Sequence, residues 1–157
     1  MKIFDNMKKT ILYIFTAVLC LLTSCEKELT MAEKLVGDWH CTSTSTEAEI
    51  YVTFTAEKTF ILYQQIGEGA FRVYNGIYAL AAGAGEGAGY VLSGEYNDGT
   101  PWGTSYELNS EDGNRFTLTG EGITETYDRV ESGIPAEVIA SSVTMVKSEG
   151  GDWKPFL

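Results

Sequence analysis

The sequence predicts an all-β protein, an eight-stranded antiparallel up-and-down β-barrel with a short C-terminal helix. Turn-forming residues recur about every 12 residues between positions 36 and 131, the spacing of small sandwiches and barrels. Within the segments they separate, apolar side chains alternate, so each strand buries one face. The connections are short enough to join antiparallel neighbours. A meander of eight strands with two open edges would invite edge pairing, and closing the sheet removes the edges.

The chain begins with Lys2, Lys8 and Lys9 and continues with a run of 12 residues, 11–22, that is apolar except for Thr16. A span needs about 20 apolar residues, so this run reads as a signal peptide over residues 1–24. Leu22-Thr23-Ser24-Cys25 resembles the lipobox of bacterial lipoproteins. That resemblance implies cleavage before Cys25 and a membrane anchor of acyl chains, palmitate in type, on its sulfur. Each buried methylene contributes about 0.8 kcal/mol, so several chains hold permanently. Glu26-Lys27-Glu28 is similar to the short tag that sends some Gram-negative lipoproteins to the outer face of the outer membrane. The plain alternative is a solvated tether, residues 25–34, leading into a domain at 35–157.

The predicted strands are residues 36–43, 48–55, 59–64, 71–80, 89–96, 102–109, 115–120 and 123–131. Ile50, Val52 and Phe54 share a face, as do Phe60 and Leu62, then Trp102, Thr104, Tyr106 and Leu108, then Phe116 and Leu118. Asn97-Asp98-Gly99, Asp112-Gly113-Asn114 and Gly120-Glu121-Gly122 supply turn residues that tolerate positive φ. Gly76-Ile77-Tyr78 and Gly94-Glu95-Tyr96 place glycines inside strands, where they mark bends. The glycine-rich segment 81–89 reads as a hairpin tip, with a lid beside the barrel mouth as its functional alternative. Ser132-Gly133-Ile134-Pro135 starts a helix over residues 136–141. Trp153 and Phe156 are expected to cover an apolar patch.

Charge narrows the partners. The chain has 11 Lys and Arg against 22 Asp and Glu, a net charge of −11. Removing the leader leaves 8 basic residues against 21 acidic ones, a formal charge of −13. Such a surface repels phosphate backbones and anionic headgroups, which argues against nucleic acid. Hydrophobic residues at 44% and aromatics at 12% supply a core and argue against disorder.

Gly37-Asp38-Trp39 opens the first strand and Arg129 lies in the last, in Thr126-Tyr127-Asp128-Arg129-Val130. With eight strands and a terminal helix, this pattern resembles the lipocalin superfamily over residues 35–142, and within it the lipocalin-like lipoproteins of Gram-negative bacteria. The resemblance implies that Trp39 plugs a closed end and that Arg129 lies over it, with Gly37 beside them. A guanidinium on an indole is worth about 0.5 to 2 kcal/mol.

No catalytic constellation is visible. His40 and Cys41, the only histidine and the only thiol of the folded part, are neighbours on one strand and face opposite ways. Cys41 reads as a small buried hydrophobe. The acidic residues, Glu47, Glu49, Glu95, Glu107, Glu111, Asp112, Glu121 and Glu125 among them, read as solvated charge. Neither metal nor cofactor is expected. Aromatic residues remain: Tyr63, Tyr78, Tyr96, Trp102 and Tyr106 are the candidate lining of a ligand-holding lumen, unless they simply fill the core. The expected function is a non-enzymatic, lipid-anchored outer-membrane protein binding a small hydrophobic or aromatic ligand. The alternative is a packed barrel that binds a protein or glycan partner through its loops.

Overall fold

A computed structural model of the chain describes residues 29–43, 48–84, 89–110, 112–145, 155 and 157. The leader, Cys25, the tip 85–88, Trp153 and Phe156 lie outside the described residues. The described chain forms helix α1 (Met31–Leu35), strands β1 (Gly37–Cys41), β2 (Ala48–Phe54), β3 (Thr59–Ile66), β4 (Arg72–Ala82), β5 (Tyr90–Tyr96), β6 (Tyr106–Asn109), β7 (Arg115–Gly120) and β8 (Ile123–Arg129), helix α2 (Ala136–Ala140) and strand β9 (Val143–Thr144). Strands β1 to β8 pair antiparallel with their sequence neighbours. Pairing of β1 with β8, Trp39 opposite Arg129, closes the ring into the expected barrel.

The interior follows from period two. Ile50, Val52 and Phe54 of β2, Phe60 and Leu62 of β3, Leu92 of β5, Leu108 of β6 and Phe116 and Leu118 of β7 are buried, and together they form one apolar cluster. Because the strands alternate in direction, the connections after β2, β4 and β6 gather with α1 at one end. Those after β1, β3, β5 and β7 gather at the other. The described ends of the glycine-rich β4–β5 connection, residues 82–84 and 89–90, are therefore on the α1 side. Its base is closed by Gly83 N–H donating to Gly89 O at 2.7 Å.

Four local features differ from the sequence reading. Helix α1 begins inside the expected tether, because Thr30 and Glu33 form a reciprocal capping box and Leu35 buries in the core. Strand β6 starts at Tyr106 instead of residue 102. Pro101 lacks an N–H for the ladder, and Trp102 instead donates its N–H to Gly94 O at 2.9 Å. Strand β4 runs 11 residues, long enough to serve two neighbours on one side. Its last seven pair with β5, while Arg72 and Val73 pair in parallel with β9, a strand outside the ring that the sequence did not predict.

Candidate functional site

The α1 end is plugged from the sequence upward. Gly37 has φ +139°, which favours glycine, and the Arg129 guanidinium fills the space a Cβ would need, with Cζ 3.4 Å from that position. Arg129 then lies over Trp39, its Cζ 4.2 Å from the ring centroid. It donates from Nε to Gly113 O at 2.9 Å, from Nη1 to Val36 O at 2.9 Å and from Nη2 to Lys34 O at 2.6 Å. Trp39 is fully buried, donates Nε1–H to Leu35 O at 2.8 Å, and meets Phe116 edge-on at 4.5 Å. The Trp39 indole N–H and three donors of Arg129 thus have partners within the chain, which makes this end a structural lock.

The five candidate lining residues do not stay together. Tyr63 lies on the outer wall, between the buried Leu62 and Gln64 and opposite Val73, so it does not line the interior. The strand period that points Leu62 inward points Tyr63 outward. Tyr78 is buried against Phe54 at 5.0 Å, and its hydroxyl donates to Thr55 O at 2.8 Å, which commits it to the β2–β3 turn. Tyr96, Trp102 and Tyr106 do gather. Phe60 meets Trp102 at 5.1 Å and Tyr96 at 5.6 Å, and Trp102 meets Tyr106 at 6.2 Å. Two strand glycines make this possible by close approach. A Cβ on Gly94 would lie 2.7 Å from Trp102 Nε1, and one on Gly120 would lie 2.7 Å from Tyr106 Cδ1.

Around these three stand residues that the sequence reading passed over. Tyr74 is 1% exposed and packs on Tyr96, with ring centroids at 6.0 Å. Among the described residues, Gln64 and Glu125 are the buried polar side chains. Glu125 was expected to be solvated; its 7% exposure corrects that, since Glu125, Tyr127 and Arg129 alternate on one inward face of β8. It accepts a hydrogen bond from the Tyr127 hydroxyl at 3.1 Å. Burial lifts its carboxyl to about pKa 7, against the lowering effect of that bond. Burial likewise pushes the Cys41 thiol to about 11 and the Tyr106 hydroxyl to about 12, and raises Tyr96 and Tyr127 further. The chain end is here too: Leu157 is 2% exposed, belongs to the core cluster, and its carbonyl accepts from the Tyr96 hydroxyl.

Two polar atoms in this region, the Tyr74 hydroxyl and Trp102 Nε1, are buried with no hydrogen-bond partner among the described residues. His40, by contrast, is on the outer wall, stacked on Tyr51 at 4.5 Å with Nε2 2.8 Å from Glu49 Oε1. No His, Cys, Asp and Glu side chains come together in a group able to hold a metal ion among the described residues. Two hollows of about 540 and 510 Å³ are lined partly by outward side chains, Arg115 and Asp128 in the first, Asn75 and Ile77 in the second. Neither includes Glu125, Tyr106 or Trp102. Comparison of the chain with protein families, with curated proteins and with solved structures finds no match.

Proposed function

We propose that the chain is a lipid-anchored cell-surface protein of the outer membrane, held through Cys25, that binds a small hydrophobic or aromatic molecule inside its barrel. The observation that carries the binding reading is the pair of buried, unpartnered polar atoms, the Tyr74 hydroxyl and Trp102 Nε1, within a cluster of aromatic rings. Each forfeits about 1 to 3 kcal/mol by leaving water without a partner, and a ligand bearing one acceptor recovers part of that. Aromatic walls supply area and the polar atoms supply orientation, the usual division of labour in a small-molecule site. The anchor reading is supported by the leader and by Leu22-Thr23-Ser24-Cys25.

Every described element lies from Met31 onward, so a chain lacking residues 1–25 retains the whole barrel. Native mass spectrometry of that chain, made without lipid and also recovered from its own cell extract, tests the binding reading. A reproducible adduct lost on denaturation, and weakened by Trp102→Ala or Tyr106→Ala in a folded protein, supports a carrier. Bare protein from both sources would favour the packed barrel that engages a protein or glycan partner. Mass analysis of the lipid fraction tests the anchor: an acylated Cys25 supports it and an unmodified thiol overturns it.

A further inference from the structure

We propose that the barrel interior takes a cationic ligand, an amine on a small aromatic or apolar body, with Glu125 as its counter-ion. This rests on the reading of the interior as a ligand site. Glu125 is 7% exposed and faces inward from β8, in register with the fully apolar Leu118 of β7. A carboxylate offers about four acceptor positions, and the Tyr127 hydroxyl fills one of them. Among the described residues no lysine, arginine or histidine forms an ion pair with it. Leaving a carboxylate buried without a cation is costly, and folds retain one where a partner or a ligand compensates.

The surroundings suit an ammonium group. Trp102, Tyr106, Tyr96 and Phe60 form a connected run of rings with centroid separations of 5.1 to 6.2 Å. A desolvated cation over such faces is attracted by the negative faces of the rings. An ammonium carries three donors and no acceptor, which matches a carboxylate flanked by phenol oxygens. An anion would meet the like charge of Glu125, and a neutral body would leave that charge unpaired. The overall charge of −11 draws cations toward the protein and repels anions.

The titratable groups that interact with Glu125 are Cys41 of β1, Tyr106 of β6 and Tyr127 of β8 itself; Glu49 also acts on Cys41, and Glu121 on Tyr106. The thiol and the phenols are held protonated well above neutrality, so Glu125 is the one of these inner groups that changes charge near pH 7. Amine affinity should then fall about tenfold per pH unit below 7, as protons compete for the carboxylate.

Calorimetric titration of the chain lacking residues 1–25 with phenethylamine, phenethyl alcohol and 3-phenylpropionate tests the assignment. The amine is expected to bind at least about tenfold more tightly than either analogue at pH 8, and to lose that advantage by pH 5.5. Glu125→Gln, which keeps shape and removes charge, should abolish the amine's advantage over the alcohol in a protein at least as stable as the parent at pH 8. Equal binding of amine and alcohol, or an unchanged amine affinity in Glu125→Gln, overturns the cationic assignment and leaves the ligand-holding interior standing. Failure of all three to bind also overturns it, and the native-mass adduct then decides the interior reading separately.

Discussion

Replacing Arg129 by alanine removes the lock at the α1 end, and its size can be worked from the contacts. Three donor groups leave the carbonyls of Gly113, Val36 and Lys34 without their partners, and the Trp39 ring loses the cation stacked on it. At this half-buried rim water re-enters, so each hydrogen bond is worth about 1 kcal/mol net. The cation–π contact adds about 1 kcal/mol. The combined loss is about 4 kcal/mol, a large share of the roughly 5 to 15 kcal/mol that holds a domain together. For a barrel of this length that corresponds to a fall in melting temperature of about 12 to 16 °C. Thermal and urea unfolding followed by tryptophan fluorescence would report it. Arg129→Lys keeps the charge but cannot reach three carbonyls from one planar group, so it should recover less than half of the loss. A fall below about 4 °C for the alanine variant, or a lysine variant as stable as the parent, would refute the reasoning.

Two further outcomes follow from the other end of the barrel. Because burial raises the Glu125 carboxyl from 4.5 to about 7, the folded state binds its proton more tightly than the unfolded state does. This group's contribution to stability is therefore fully present below pH 4.5, declines as pH rises to about 7, and is flat above that. Glu125→Gln should remove the decline, so the melting-temperature difference between variant and parent should grow across that window; a constant difference from pH 4 to 8 would contradict it. Deleting Leu157 exposes the seat of a buried leucine and removes a carbonyl that accepts from the Tyr96 hydroxyl. Loss of the leucine burial alone is worth about 1.5 to 3 kcal/mol, and an unchanged scanning-calorimetry transition would show that the chain end is not anchored there.

The α1 end was legible in advance only through the resemblance carried by Gly37, Trp39 and Arg129, since no local pattern relates Arg129 to Trp39; the alternation of Ile50, Val52 and Phe54, by contrast, is a local signal. The lining was less legible. Tyr63 was misplaced although its neighbours Leu62 and Gln64 are both buried, because a glutamine does not advertise an inward position. Glu125 was misplaced because acidic residues are so numerous that its chemistry drowned its period; two residues before Tyr127 and four before the inward Arg129, its position alone pointed to the interior.

What the sequence by itself determined is therefore the eight strands of the ring, their up-and-down order and the buried faces that Ile50, Val52 and Phe54, Phe60 and Leu62, and Phe116 and Leu118 mark, since all of these are set by alternation and turn residues within a few positions. What only the tertiary structure decided involves residues far apart in the chain. Gly94 matters because Trp102 lies on it, Gly120 because Tyr106 does, and Tyr96 because Leu157, 61 positions away, ends against its hydroxyl. The parallel pairing of β9 with Arg72 and Val73 belongs to the same group, as does the burial of Glu125 among rings from other strands. Such contacts arise from packing of the folded chain, which brings together side chains and strand edges that no local pattern relates.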